Sequence, residues 1–175
     1  MALTVEDGTS VSGANSYISL ADANTYMSTR TNGTHAWDSA SDDDKEQALI
    51  EAMDFMENQY RDKMRGVQEY EGQLWAWPRE YVYDLRGDEY TGIPSRLKYA
   101  QVEFAAFYLT EGTLYLNPST DDTGQQVKRT REEVGPLKTE TEFVSGGTIA
   151  TAYSVPKAEQ YIKDFIFDTD TLLRA

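Results

Sequence analysis

Apolar residues recur at helical spacing in four stretches of this chain. Leu20, Ala23, Tyr26 and Met27 share one face, and Ser19 with Asp22 three residues on reads as a capping box. That pattern predicts a short helix from about 20 to 29. The stretch "SASDDDKEQALIEAMDFMENQYRDKM" is the clearest helix. Ser41 is its cap, Asp42, Asp43 and Asp44 lie in the first turn, where the helix dipole favours anions, and Leu49, Ala52, Met53, Met56 and Tyr60 form one stripe. A third helix is predicted over 93–111. Pro94 suits its first turn and Gly112 its end, and Leu97, Ala100, Phe104, Phe107 and Tyr108 face one way. Val102, Ala105, Ala106 and Leu109 widen that stripe almost all round, as in a helix that is central or also buried against a second chain. A last helix follows Pro156, with Ala158, Tyr161, Ile162 and Phe165 on one face.

Two stretches break this rhythm. Residues 66–92 carry Gly66, Gly72, Gly87 and Gly92 and read as a long loop. Residues 127–143 alternate, are rich in threonine and turn at Gly135-Pro136, which predicts a two-stranded arm of about 127–133 and 137–143. The expected fold class is therefore mainly α: a small bundle of three to four helices with a two-stranded β arm and a C-terminal helix. The expected division is a core over 1–116, a linker and arm over 117–154, and a C-terminal helix and tail over 155–175.

Composition narrows the function. Hydrophobic residues make up 39% of the 175, mean hydropathy is −0.62, and there is no cysteine, which removes disulfides and thiolate metal sites. No signal peptide opens the chain, and no apolar run approaches the roughly 18 residues of a membrane span; a soluble protein made in a reducing cytoplasm is expected. The net charge is −14, and it is uneven. Residues 1–60 carry 11 acidic and 2 basic side chains, whereas 127–143 carry 4 of each. Nucleic-acid affinity rests on cations that displace condensed counterions, so most of this surface repels a phosphate backbone.

Candidate chemistry is thin. His35 is the sole histidine, and no nucleophile elbow accompanies it to build a hydrolase. No phosphate loop, dinucleotide fingerprint or zinc-protease motif occurs. The Asp42–Asp44 run lacks calcium-loop spacing and reads as a charged first turn. No enzyme, metal or cofactor is expected.

The strongest local feature is "LWAWPRE", residues 74–80. Proline pushes the preceding residue to extended geometry, so Trp75 and Trp77 would point to one side. Two indoles on one face stack bases when a cationic groove lies beside them. Here Glu69, Glu71, Glu80 and Asp84 outnumber Arg79 and Arg86. The favoured reading is a structural anchor made by Trp37, Trp75, Trp77, Pro78 and Arg79. It pins the loop to the helices, with Arg79 paired to a carboxylate or laid across an indole.

The ordered set "VEDGTSVSGANSYISLADANTYM", "HAWDSASDDDKEQALIEAMDFME", "LWAWPRE", "IPSRLKYAQVEFAAFYL" and "VKRTREEVGPL" resembles the head-to-tail adaptor (head-completion, connector) proteins of tailed bacteriophages, over roughly residues 3–143. Sequences of this type are also labelled DnaT-like single-stranded-DNA-binding proteins. The resemblance implies a structural virion protein at the capsid–tail junction, assembled in the bacterial cytoplasm. It implies a homo-oligomeric ring, a dodecamer, under the portal protein, docking a tail or stopper protein, with DNA passing through without tight binding and no membrane contact. Val102, Ala106 and Leu109 would then serve a subunit interface. Lys128, Arg129, Arg131, Phe143, Tyr161 and Phe165 would contact a portal or neighbour. The alternative is a single-stranded-DNA-binding module that uses Trp75, Trp77 and the Lys128–Arg131 cluster.

Overall fold

The computed structural model describes residues 2–31, 33–116, 127–133, 138–143 and 152–167, the two strands of 127–143 by their backbone alone. The protein is mainly helical, with two-stranded antiparallel ladders. It forms two compact units, Met1–Leu114 with Ser154–Ala175, and Tyr115–Tyr153.

In the first unit, α1 (Leu20–Ser28) starts where Ser19 Oγ accepts from Asp22 N. α3 (Asp42–Tyr60) starts the same way, Ser41 Oγ accepting from Asp44 N. Between them lies α2 (Ala36–Ser39), a four-residue helix too short to show a helical stripe in the sequence. His35 caps it: its Nδ1 accepts from Trp37 N at 3.1 Å, and Asp38 accepts from the His35 backbone in return. α4 (Ser95–Glu111) begins one residue later than Pro94 promised and ends on Gly112, whose φ of 74° satisfies the left-handed cap. α5 (Pro156–Ile162) continues into a 3-10 turn over Lys163–Phe165.

The core lies between α3 and α4, with α1 and α5 flanking α4. Leu49, Met53, Phe55, Met56, Leu97, Phe104, Ile162 and Phe165 are all under 2 % exposed. The Phe55 and Phe104 rings meet at 5.0 Å. Val102 and Ala106, expected at a subunit interface, are 0 % and 3 % exposed and pack inside this chain's own core. Leu109 is half-buried.

The loop expected over 66–92 contains a short ladder. β1 (Val67–Gln68) pairs antiparallel with β2 (Arg79–Glu80). Gly66 leads into it with φ 73°; a Cβ there would sit 2.2 Å from Glu80 O, so no side chain fits. Two-residue strands leave no alternation to read, which is why the pattern shows only loop. A second close approach joins the N-terminal segment to α4: a Cβ on Gly8 would lie 2.9 Å from Gly92 Cα. The carboxylate of Glu6, 2 % exposed, holds this segment by accepting from Gly8 N, Ser10 N and Val11 N.

In the second unit, β3 (Val127–Glu133) pairs antiparallel with β4 (Lys138–Phe143). Arg129 lies opposite Glu142 and Arg131 opposite Glu140. The side chains of Lys128, Arg129, Arg131 and Phe143 lie outside the described residues, as does the turn at 135–136.

The tryptophan segment packs through buried polar groups. Trp77 is 0 % exposed; its Nε1 approaches Met64 Sδ at 3.1 Å, and its ring meets Phe165 edge-on at 5.3 Å. Trp75 is half-buried, its Nε1 donating to Ala14 O at 2.7 Å. Trp37, 2 % exposed, donates to Asn24 Oδ1. Pro78, also buried, accepts from Gln73 Nε2 through its carbonyl. Arg79 neither meets a carboxylate nor covers an indole. Its guanidinium donates to the carbonyls of Arg65, Ala76, Met64 and Gly66 instead, because the 64–79 loop closes around it and turns those carbonyls inward.

Beneath this segment Glu57 of α3 is 8 % exposed. It accepts from Tyr17 Oη at 2.7 Å and from Ala76 N at 3.0 Å, with Arg61 Nη1 at 3.4 Å. Burial pushes the Glu57 carboxyl above the ordinary glutamate range, although the Tyr17 hydroxyl, the Ala76 N–H and Arg61 pull the other way. Burial also raises the Tyr17 hydroxyl well above its usual value, helped by the charge on Glu57. Both groups hold their protons more tightly folded than unfolded. Their contribution to stability is complete below the unfolded pKa and is lost as pH rises through the folded value. Stability should therefore fall as pH climbs from about 4.5 through the raised Glu57 value, and again above about 10. Glu57→Gln should flatten the first fall. Urea midpoints measured across pH check this; an unchanged slope in the variant would remove Glu57 as its source.

Candidate functional site

Most of the surface is acidic, but three arginines meet in one place. Arg65 follows the 3-10 turn after α3, Arg86 tips a hairpin, and Arg96 lies in the first turn of α4. With Tyr83, Leu85 and Tyr90 they line a cleft of about 370 Å³, which also includes Asp84 and Asp164. Arg65 is positioned by backbone pairing, its N–H donating to Phe165 O at 2.8 Å and its Nη1 to Asp164 O at 3.2 Å.

The hairpin is built by one aspartate. Asp84 Oδ1 accepts from Arg86 N at 2.8 Å and Asp88 N at 2.9 Å, while the Asp84 backbone N–H donates to Asp88 O. These N–H bonds hold the Asp84 carboxyl below the usual range. Tyr90 N closes the base by donating to Val82 O, and the Tyr90 ring rests edge-on against Phe165 at 5.1 Å. Desolvation raises the Tyr90 hydroxyl, reinforced by Asp164 and Asp84. The result is a turn that displays Tyr83, Leu85 and Arg86 outward at 41 % exposure for Tyr83 and 108 % for Leu85.

Arg96 is the partly spent cation. Its Nε lies 3.0 Å from Asp164 Oδ2 as an ion pair, out of line for a hydrogen bond; its Nη2 donates to Gln160 O, and its guanidinium lies over Tyr161 at 5.4 Å. Asp84 is held ionised by backbone N–H groups and by the charge of Arg86, so it offsets part of the positive charge of the cleft, while Arg65 and Arg86 keep guanidinium N–H groups outside any ion pair among the described residues. A planar guanidinium takes phosphate oxygens in a fork, and a half-exposed tyrosine offers its ring to a base.

The larger cleft, about 510 Å³ between α2, α3 and the end of α4, includes Asp44 and no cation. It does not favour an anion. Among the described residues no group of three or more His, Asp or Glu side chains is placed to hold a metal, and no helix is long and apolar enough to cross a membrane.

The residues first singled out do not make this site. Trp77 would have to leave the core to stack on a base, and Trp75 shows only part of its ring. Tyr161 is half-buried beside Tyr99, the rings 5.9 Å apart, and Phe165 is fully buried under Tyr90 and Trp77. Sequence reading missed Arg65, Tyr83, Arg86 and Arg96. The available signal was "VYDLRGDEY", two tyrosines flanking an Asp-x-x-Gly turn with an arginine at its tip.

Fold and cleft together describe an acidic, mainly helical protein with a cleft where three arginines and two tyrosines converge. The chain matches, over residues 1–174, the model of the family described as "Putative DnaT-like ssDNA binding protein", and it belongs to that family. No curated protein and no solved structure matches it. This membership corrects the expectation of a head-to-tail adaptor. The matched family is described by single-stranded DNA binding, which was the alternative, and nothing found supports a phage connector or a virion assembly role. The expected ring, portal and tail partners rested on that resemblance alone.

Proposed function

We propose that this protein binds single-stranded DNA and that the Arg65–Tyr83–Arg86–Arg96 cleft is its contact surface. The observation that carries the reading is the convergence of three arginines and two tyrosines in one cleft of a chain with net charge −14. The family description supports the same ligand. Tyr83 stacks on a base, Arg65 and Arg86 take adjacent phosphates, and the Asp84-built turn holds Tyr83 and Arg86 in place before the strand arrives. Trp75 and Trp77 act as anchors beneath the loop and touch no base.

The surrounding acidity shapes the binding. With only two or three phosphates neutralised, the salt dependence should be shallow, a log–log slope of about −1.4 to −2. Stacking then supplies much of the affinity, about 1–3 kcal/mol per base. Anisotropy of a labelled oligo(dT) at low salt tests this. Tyr83→Ala and Arg86→Ala should each weaken binding by roughly tenfold or more. Absence of binding by the unaltered protein at low salt would reject the reading.

A further inference from the structure

The first turn of α4 is shared by two clefts. Arg96 faces the arginine–tyrosine cleft. Ser95, Lys98 and Tyr99 line a second, of about 400 Å³, together with Tyr26 and Arg30 of the α1 region. We propose that this second cleft is a further nucleotide subsite, so that one single strand crosses the N-terminal turn of α4 and occupies both. The inference rests on the single-stranded-DNA reading and extends it from one contact point to a path.

The second cleft has its own stacking assembly. The Arg30 guanidinium lies 3.7 Å from the Tyr26 ring centroid, and the Tyr26 and Tyr99 rings stack at 4.5 Å. Arg30 Nη1 donates to Tyr26 O at 2.9 Å and to Thr29 Oγ1 at 2.8 Å, which fixes the plane of the group. Its Nε and Nη2 make no hydrogen bond among the described residues, and Arg30 is exposed. A fixed guanidinium with one face on an aromatic ring and free N–H groups suits a base on its outer face or a phosphate at its edge. The Tyr26 hydroxyl is locked below by donation to Glu103, whose carboxylate pairs with Lys157, so that acid is neutralised before a strand arrives.

Charge favours the path as well. The facing groups are Arg30, Lys98 and Asp22, and the Asp22 carboxylate accepts from Ser19 Oγ. The first turn of α4 itself holds no acidic residue and no side-chain cap; it carries Arg96 and Lys98. Two clefts with cations in excess thus flank one helix turn that adds no negative charge, on an otherwise acidic body.

Oligo(dT) of about 4 and about 12 nucleotides separates one subsite from two. The unaltered protein should bind the longer strand at least tenfold more tightly. In Arg30→Ala/Lys98→Ala, the longer strand should fall toward the affinity of the shorter one, and its salt slope should drop by about 1.4, for two lost phosphate contacts. Short-strand binding should be unchanged, whereas Arg86→Ala should weaken both lengths. If the double variant keeps the full length advantage, the second subsite is wrong while the first cleft stands. If the unaltered protein binds neither length, both readings fall together.

Discussion

Trp77→Ala is expected to cost the fold about 3–5 kcal/mol, the range for truncating a large buried aromatic. The indole is 0 % exposed and touches Phe165 on the C-terminal 3-10 turn, Met64 after α3, and the backbone that reaches Ala76. Its loss opens a cavity at the point where three separate segments meet. The neighbouring Ala76 N–H is already committed to Glu57 and cannot move to fill it without giving up that bond. Thermal melting should show the loss as a large drop in Tm. Trp75→Ala is the control. That ring is half-buried and makes one hydrogen bond, to Ala14 O, so the cost should be well under half as large. Equal costs for the two substitutions would contradict the assignment of Trp77 as the anchor.

Gln101→Leu is expected to cost about 2–4 kcal/mol although it puts an apolar residue into an apolar core. Gln101 is 0 % exposed in the middle of α4. Its Oε1 accepts from Tyr17 N at 2.9 Å, and its Nε2 donates to Ser16 Oγ at 2.9 Å and Leu49 O at 2.8 Å. One amide therefore ties the N-terminal segment to α3 through α4. Leucine fills much the same volume but leaves the buried Tyr17 N–H without its acceptor, at a full desolvation cost, and takes one donor each from Leu49 O and from Ser16 Oγ, which keeps its bonds to Ile18. Urea unfolding should show a lower midpoint with an unchanged slope. A variant as stable as the parent would mean that the segment at Tyr17 relaxes and finds water.

α1, α3 and α4 announce themselves because each combines a 3.6-residue stripe with a capping residue or a terminal glycine. α2 does not, since four residues span barely one turn and its cap is a histidine rather than serine or aspartate. Gln101 sits among Ala100, Val102 and Phe104 and gives no sign of its three partners, which are 52 to 85 positions away in sequence. The cleft was hidden for the same reason. Arg65, Tyr83–Tyr90, Arg96 and Asp164 come from four segments, and only the tertiary fold brings them together. The two tryptophans drew attention because they lie two positions apart, yet Trp77 is fully buried in the core and Trp75 is half-buried above it. Net charge was a sound guide to the surface as a whole and a poor one to a single concave patch within it.

Gly8 and Gly92 meet backbone to backbone. Residues 92–94 are the ramp by which the chain enters α4, and the first turn of that helix forms a wall of both clefts. The N-terminal loop, clasped by Glu6, backs closely onto this ramp at Gly92. A bulkier residue at position 8 would push the ramp and change the gap between the clefts while touching neither. Spacing between two grips on a flexible strand governs how much the second adds to the first. If one strand occupies both clefts as proposed, its reach would be tuned from position 8, a site that lines neither cleft.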